Sequence, residues 1–186
     1  MNSEGLTPIM RVYISPITQH HISHLIGFSD DPELIETMGW RPFRYNENER
    51  FIETIELASL PDCGDSDPIT FCIIAQKNDV PIGYVTIKGV DEVKANAEIG
   101  IAIMDRRYRS GGYGTEALAI AADYAFHTMN LSSLSLTVFP SNTRAIKAYE
   151  KVGFKKIDIL KDSWTMPNGK QVDMLLMELN KKIDYP

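Results

Sequence analysis

A glycine-rich segment near the middle of the chain places the strongest constraint on the fold. The segment reads Arg109-Ser110-Gly111-Gly112-Tyr113-Gly114-Thr115, and it separates an alternating apolar stretch, 95–103, from a strongly helical one, 112–127. Free backbone N–H groups and the positive end of the helix dipole favour an anion at such a junction. Because glycine lets the backbone approach a phosphate closely, the segment predicts a phosphate-binding loop.

The charge beside this loop is opposite to that of the whole chain. The chain has a formal net charge of −6, whereas three arginines, Arg106, Arg107 and Arg109, fall within four positions. The planar guanidinium group matches phosphate oxygens well. The arginines therefore favour a phosphate ligand, although a simple turn with solvated arginines remains an alternative for the loop taken alone.

Two other phosphate-binding motifs fit the loop less well. Gly112-x-Gly114-x-x-Ala117 matches the dinucleotide fingerprint, but that motif needs an acidic residue roughly 20 positions further on. The sequence contains no Asp or Glu between Asp123 and Glu150. The loop also follows a run of strands instead of opening the fold, and it lacks the Gly-Lys-Ser/Thr ending of nucleoside-triphosphate loops. Both alternatives are therefore disfavoured.

Hydrophobic periodicity around the loop predicts a mixed α/β fold. Strands are expected at 11–14, 69–76, 81–90, 95–103, 134–139, 155–164 and 170–180, and helices at 18–28, from about 46 to 60, 112–127 and 142–152. A chain of 186 residues with 44% hydrophobic residues is long enough to bury one core without a metal or disulfide. We therefore expect a single domain, 1–186.

Composition and residue spacing exclude several classes of protein. The acidic net charge argues against broad nucleic-acid binding. No window is long enough to cross a bilayer, and no basic segment followed by an apolar stretch opens the chain, so a cytoplasmic protein without a membrane partner is expected. Cys63 and Cys72 do not form a disulfide or zinc pattern, and His20 and His24 have no further ligand cluster. No metal is expected.

A second motif lies about 30 residues beyond the loop and makes the pattern specific. Arg109-x-x-Gly112-x-Gly114 resembles the coenzyme A pyrophosphate motif of the GNAT superfamily of N-acetyltransferases, and Asn142-x-x-Ala145-x-x-x-Tyr149-x-x-x-Gly153-Phe154 resembles its downstream segment. Within that superfamily, three further segments are similar to the branch that contains ribosomal-protein N-terminal and spermidine acetyltransferases: Ala97-Glu98-Ile99-Gly100, Thr115-Glu116-Ala117-Leu118 and Asn168-Gly169-Lys170.

The resemblance implies a fold and an activity. It implies one GNAT-like domain with a mostly antiparallel central sheet, splayed between the third long strand and the strand after the glycine helix and flanked by about four helices. It implies acetyl-CoA as cosubstrate, with its pantetheine arm in the gap, and acetyl transfer to a primary amine by direct attack in a ternary complex. The acceptor stays open among polyamines, protein N-termini and small-molecule amines, and a homodimer is compatible with the resemblance. The alternative is a non-catalytic acyl-CoA-binding sensor or interaction domain.

The resemblance also assigns roles to residues of this chain. Glu98 corresponds to the carboxylate that takes a proton from the amine, a step needed because an alkylammonium has a pKa near ~10. Tyr149 corresponds to the tyrosine that gives a proton to the departing thiolate. Outward exposure of Glu98 and core packing of Tyr149 are the alternatives. The expected coenzyme contacts are Ile101, Ala102, Ile103, Arg109, Ser110, Gly111, Gly112, Tyr113, Gly114, Thr115 and Asn142, the last of which also suits a helix N-cap.

Overall fold

The computed structural model describes residues 10–39, 43–45, 52–54, 68–166 and 168–182. Four α-helices lie in this part of the chain, α1 (Gln19–Leu25), α2 (Pro32–Met38), α3 (Tyr113–His127) and α4 (Thr143–Val152). The strands are β1 (Val12–Pro16), β2 (Phe43–Tyr45), β3 (Ile52–Thr54), β4 (Ile69–Ala75), β5 (Val80–Asp91), β6 (Asn96–Ile103), β7 (Ser133–Val138), β8 (Lys155–Thr165) and β9 (Gln171–Asn180). Short 3-10 turns occupy Ile26–Phe28 and Arg106–Tyr108.

The main sheet has seven strands in the order β1-β4-β5-β6-β7-β9-β8. All neighbouring strands are antiparallel except β6 and β7, which run parallel. The β6–β7 pairing covers only Asn96–Glu98 against Ser133–Ser135. Beyond Glu98, β6 continues its pairing with β5 while β7 continues with β9. The expected mixed α/β fold, with a mostly antiparallel sheet splayed at this point, is therefore confirmed.

Helices cover both faces of this sheet. On one face α3 and α4 bury apolar side chains, among them Leu118 and Ile146, in a core cluster with residues of the central strands. On the other face α1 and α2 bury Leu25 and Leu34 in a smaller cluster with Met104. The splay between β6 and β7 therefore opens a passage from one helical layer to the other.

One predicted helix is wrong where the structure describes it. The sequence suggested a helix from about residue 46 to residue 60, but Ile52–Thr54 forms a strand that pairs antiparallel with Phe43–Tyr45. The apolar spacing is compatible with a helix, and pairing with a neighbouring strand overrides that local signal. Residues 46–51 and 55–60 lie outside the described residues, as does Cys63.

The structure contains a helix that the sequence analysis missed. Asp31 caps α2 by accepting a hydrogen bond from the backbone N–H of Glu33, Pro32 occupies the first helical turn, and Gly39 ends the helix with φ of 77°. An acidic N-cap, a proline at the start and a glycine after the end are the standard boundary signals. These boundary signals were present in the sequence. The helix was missed because it has only seven residues, too few to show a clear apolar periodicity.

Candidate active site

A cleft of about 680 Å³ lies where β6 and β7 separate. The exposed edge of β6, 99–103, and the end of β7, 137–138, form its inner walls. The glycine loop and α4 line it on one side of the sheet, and α2 lines it on the other. The cleft therefore joins the two faces of the sheet, as a site for two substrates that meet in the middle requires.

The glycine loop brings the beginning of α3 to the edge of this cleft. Ser110 and Gly112 both adopt left-handed backbone conformations, with φ of 62° and 84°. Gly112 is the N-cap of α3 and offers no side chain to the first helical turn, whose N–H groups have no partner inside the helix. Ser110, Gly112, Gly114 and Thr115 line the cleft. These backbone donors and the helix dipole form a suitable site for a pyrophosphate.

Glycine at position 114 allows α3 to lie close to the end of β6. A Cβ atom there would stand 3.3 Å from Cγ1 of Ile103, which is tighter than ordinary packing. Ile101, Ala102 and Ile103 line the cleft as expected. Alternate backbone groups of an antiparallel strand point to its second edge, and beyond Glu98 that edge of β6 has no pairing partner in the described part of the chain. These groups can therefore hydrogen-bond the amides of a pantetheine arm.

Gly111 and Tyr113 lie behind the loop, against an arginine that the sequence analysis missed. Nη1 of Arg11 donates a hydrogen bond to the carbonyl of Gly111 at 2.5 Å, and Nε of Arg11 lies 3.1 Å from Glu116 on α3. The Arg11 guanidinium also stacks over the Tyr113 ring, 5.2 Å from its centroid. Arg11 thus ties the beginning of β1 to the loop. Nothing local in the sequence could reveal this contact between residues 100 positions apart.

Arg109, expected to contact the coenzyme, has its guanidinium committed elsewhere. Its Nε and Nη2 atoms donate to the carbonyls of Ile103 and Met104 at 2.8 and 2.7 Å. Its Nη1 lies 2.8 Å from Asp31 and 3.4 Å from Glu33, and only 6% of the side chain is exposed. The guanidinium therefore anchors α2 to the end of β6. A coenzyme contact by Arg109 stays a prediction, and this geometry favours its backbone over its side chain.

The other two arginines differ in their surroundings. Arg107 forms an ion pair of 2.6 Å with Asp105, which is itself buried. Burial alone would raise the pKa of Asp105, but the hydrogen bonds from Arg107 outweigh it and hold the pKa below its usual value. Arg106 is exposed. The sequence argument that three arginines surround the loop therefore overstates the positive charge available to a ligand.

Tyr149 and Asn142 both line the cleft from α4. Tyr149 is 9% exposed, its ring centroid lies 6.0 Å from that of Phe154, and burial raises its pKa to about 12. The phenol therefore stays protonated at neutral pH and can donate a hydrogen bond. Oδ1 of Asn142 accepts from the N–H of Ala145 at 3.1 Å, which caps α4, and its NH₂ group is not used by this cap.

Glu98 stands at the last position where β6 pairs with β7, next to Ile99 at the end of the cleft, and is not itself among the residues that line it. Its carboxylate lies 3.3 Å from Nζ of Lys88 on β5, and 43% of its side chain is exposed. Lys88, which the sequence analysis missed, is 9% exposed and lines the cleft. Lysine is rarely buried unless paired, so a lysine inside an alternating apolar strand was the signal that could have singled it out.

The α2 side of the cleft has a largely apolar wall. Leu34 and Met38 come from α2, Phe139 follows β7, and Trp164 and Met174 come from β8 and β9. Gly39 allows these elements to meet, because a Cβ there would stand 2.6 Å from Cζ of Phe139 and 2.8 Å from Nε1 of Trp164. Four elements contribute to the wall, namely α2, the end of β7, β8 and β9, so no single sequence motif could describe it.

The described residues contain neither a cluster of three metal-ligating side chains nor a helix able to cross a membrane. Among those residues, no three His, Cys, Asp or Glu side chains form a group that could hold a metal ion. No helix in the described ranges is long and apolar enough to span a bilayer.

The fold and cleft define an acyl-coenzyme A-dependent transferase, and comparisons with known proteins agree. The model of the acetyltransferase (GNAT) domain family matches residues 11–155. The chain is 29% identical over 159 residues to the uncharacterized N-acetyltransferase p20 of Bacillus licheniformis, covering 85% of this chain and 86% of the relative. It is 32% identical over 111 residues to the spermidine N(1)-acetyltransferase of Escherichia coli K12, covering 60% of this chain and 59% of the relative.

A solved structure resembles the fold over nearly the whole chain. The spermidine N-acetyltransferase of Vibrio cholerae, in complex with CoA and spermine, superimposes with a TM-score of 0.71 at 19% identity, covering 91% of this chain and 95% of that one. The chain therefore belongs to the GNAT acetyltransferase family. It is an N-acetyltransferase that transfers an acetyl group from acetyl-CoA to an amine.

Proposed function

We propose that the cleft carries out this transfer with Tyr149 and Glu98 in the two proton-handling roles and with the amine acceptor entering from the α2 side. The observation that carries the proposal is that one cleft joins the glycine loop to Tyr149 through the splay of the sheet. Ser110 and 112–115 would hold the pyrophosphate through backbone N–H groups. Asn142 and 101–103 would hydrogen-bond the pantetheine arm.

The length of the cleft agrees with this arrangement. From Ile103, beside the loop, to Glu98, where β6 and β7 rejoin, the strand advances five residues, or about 17 Å. The phosphate end and the reacting end of an extended cosubstrate are therefore well separated. Lys88, which lines the cleft and pairs with Glu98, marks the reacting end, and α4 carries Tyr149 along the same cleft.

Tyr149 would stabilise the departing thiolate as a hydrogen-bond donor. With the pKa of the tyrosine at about 12, full proton transfer to a thiolate whose acid has a pKa near 8.5 is uphill by about 5 kcal/mol. A hydrogen bond avoids that penalty and still stabilises the negative sulfur in the transition state. Donation without full transfer is therefore the role that the environment of Tyr149 supports.

Glu98 would accept the proton that the substrate ammonium must lose before it can attack, directly or through water. The neutral amine nitrogen then forms a bond to the acetyl carbon, and the carbon–sulfur bond breaks. The second proton, which the nitrogen loses as the amide forms, passes through solvent to the thiolate and gives free CoA. The exposed fraction of Glu98, 43%, gives the first proton a route to solvent. The backbone N–H groups of 101–103 would stabilise the carbonyl oxygen as it gains negative charge.

The test is release of free CoA by the purified protein with acetyl-CoA and a panel of amines. The panel contains spermidine, amino acids, an aminoglycoside and short peptides with a free N-terminus. We expect turnover with at least one acceptor and binding of CoA in calorimetry. Tight CoA binding with no turnover across the panel would favour the alternative, a non-catalytic acyl-CoA sensor.

A further inference from the structure

We propose that the acceptor is an α-amine with an adjacent carbonyl or carboxylate oxygen, as in a peptide N-terminus or an amino acid, and that Lys88 recognises this oxygen. The proposal rests on the proposed function, because it takes the cleft as the place where amine and acetyl group meet. It selects one chemical class among the primary amines that the fold alone admits.

The position of Lys88 places it at the reacting end of the cleft. Lys88 is the strand partner of Glu98, and beyond that residue β6 and β7 separate. Along β5 it alternates with Val85 and Ile87 of the α3–α4 core and shares the opposite face with Tyr84, which packs in the α1–α2 cluster. The ammonium therefore approaches the cleft from the acceptor side.

The ammonium of Lys88 has capacity for a further partner. It carries three N–H donors, and the pair with Glu98 uses one of them. The N–O distance in that pair, 3.3 Å, is longer than the usual charge-assisted bond of about 2.7–2.9 Å. A cation that is 9% exposed gains from any additional oxygen that reaches it. A substrate oxygen beside the reacting amine would be such a partner.

The charges of the cleft disfavour a polycation at this position. Five of the described lining residues carry a charged side chain, and all five are cations: Lys88, Arg109, Arg144, Lys147 and Lys151. Arg109 and Arg144 are paired with the acidic residues at the beginning of α2. Lys147 and Lys151 belong to α4, on the side of the sheet that carries the glycine loop and is here called the coenzyme side. Among these five cations, Lys88 is the one that lies beside Glu98. A polyamine would bring further ammonium groups towards it.

The apolar wall accommodates a side chain on such an acceptor. Leu34, Met38, Phe139, Trp164 and Met174 line the α2 side of the cleft. An α-amine of a residue such as leucine carries both an apolar group for this wall and an oxygen for Lys88. An unbranched polyamine offers only methylene groups to the wall and has no oxygen for Lys88.

The proton balance also matches an α-amine. The α-amine of a peptide has a pKa of about 7.8, so roughly one molecule in seven is neutral at pH 7, against about one in 2,500 for a lysine-like amine. A peptide N-terminus therefore needs less help from a proton acceptor in the cleft.

The experiment compares acceptors with and without a carbonyl or carboxylate oxygen next to the reacting amine. Rates with acetyl-CoA are measured for the peptide Leu-Gly-Gly, leucine, leucinamide, 3-methylbutylamine, which is leucine without its carboxyl group, and spermidine. Measuring kcat/KM from about pH 7 to pH 10 allows each value to be expressed per neutral amine. We expect the three leucine compounds to exceed 3-methylbutylamine by about tenfold or more, and spermidine to be poor. The ratio of Leu-Gly-Gly to leucine then identifies peptide or amino acid as the source.

Two variants and a control assign the preference to Lys88. Lys88→Met should reduce the preference for leucinamide over 3-methylbutylamine by about tenfold, whereas Lys88→Arg, which keeps the charge, should retain most of it. Lys77→Met makes the same charge change on the exposed β4–β5 turn and should leave the ratio unchanged. CoA affinity in calorimetry reports whether each variant is folded.

The outcomes separate this proposal from the proposed function. Preference for spermidine or for 3-methylbutylamine on the unsubstituted protein would overturn the α-amine class while leaving acetyl transfer intact, and this comparison needs no variant. A preference that survives Lys88→Met in a folded protein would overturn the role of Lys88. Failure to acetylate any amine despite CoA binding would instead contradict the proposed function.

Discussion

The two sides of the cleft are built in different ways. On the coenzyme side, backbone conformation does most of the positioning, through the left-handed Gly112 at the beginning of α3 and the Asn142 cap of α4. On the acceptor side, side chains from α2, β5, β8 and β9 converge. A backbone site is encoded within a few consecutive residues, whereas a side-chain wall depends on the whole fold. The first can be recognised as a motif and the second cannot.

Substitution of Gly112 should cause the largest loss of CoA affinity among the variants proposed for the coenzyme side. In Gly112→Val, a β-branched residue must adopt φ of 84°, and its Cβ would stand 2.8 Å from Nη2 of Arg11. The loop must shift, and its N–H groups then no longer point at the phosphates. We expect CoA affinity to fall by about 100-fold or more, the loss of two charge-assisted hydrogen bonds, as measured by calorimetry.

Gly169→Val is the matched control for backbone strain. Gly169 has nearly the same φ, 81°, in the turn between β8 and β9, and a Cβ there meets nothing within 4 Å. Both variants should lose about 1–3 kcal/mol of unfolding free energy from the left-handed conformation. Only Gly112→Val should lose CoA affinity. Equal affinities in the two variants would remove the loop from the coenzyme site.

Removal of the Tyr149 hydroxyl tests whether the rate of acetyl transfer, and not only CoA binding, depends on a residue of the coenzyme side. Tyr149→Phe keeps the buried ring and removes the donor, so kcat should fall by about 100-fold while CoA affinity stays unchanged. Because the pKa of Tyr149 is raised to about 12, its protonated form persists below that pH, and the wild-type rate should show no loss from its ionisation up to about pH 10.

The control is Tyr124→Phe on α3, where the ring packs edge-on to Phe71 with a centroid distance of 5.0 Å. Tyr124 does not line the cleft, so kcat should be unaffected. A Tyr149→Phe enzyme with normal kcat would leave Tyr149 as a packing residue only.

The same contrast explains what the sequence could and could not predict. Gly112, Gly114 and Asn142 were found because each is required by a local backbone geometry that the sequence shows directly. Arg11 could not be found, since its partner Gly111 lies 100 residues away. The predicted helix around Ile52 failed for a different reason: the strand there is stabilised by pairing with the nearby Phe43–Tyr45, and the helical spacing of its apolar residues did not indicate that pairing.

Arg109 connects the two sides of the cleft, and its replacement should affect stability more than coenzyme binding. Arg109→Met removes hydrogen bonds to two carbonyls and the ion pairs with Asp31 and Glu33. Breaking a buried ion pair strands its partners, so the unfolding free energy should fall by about 3 kcal/mol in urea titration. CoA affinity of the folded variant should change by less than about threefold, well under the tenfold that one hydrogen bond to a charged group is worth.

Arg106→Met serves as the control, since Arg106 is exposed beside the same loop and its loss should change the unfolding free energy by no more than about 0.5 kcal/mol. A large loss of CoA affinity in Arg109→Met at unchanged stability would instead indicate that the Arg109 guanidinium binds the pyrophosphate. Arg109 would then act on the coenzyme side alone.

Asn142 gives the finest test of the comparison, because its cap and its proposed coenzyme contact use different atoms. Asn142→Ala removes the bond from the N–H of Ala145 and should cost about 1 kcal/mol of unfolding free energy.

Asn142→Asp keeps an oxygen for the cap and suits the helix dipole, so stability should be retained. It also replaces the NH₂ donor with a second oxygen and brings negative charge into the cleft. If the NH₂ group donates to the pantetheine arm, CoA affinity should fall by about tenfold in Asn142→Asp at unchanged stability. If Asn142 acts only as a cap, Asn142→Ala shows the same loss of stability but Asn142→Asp binds CoA normally.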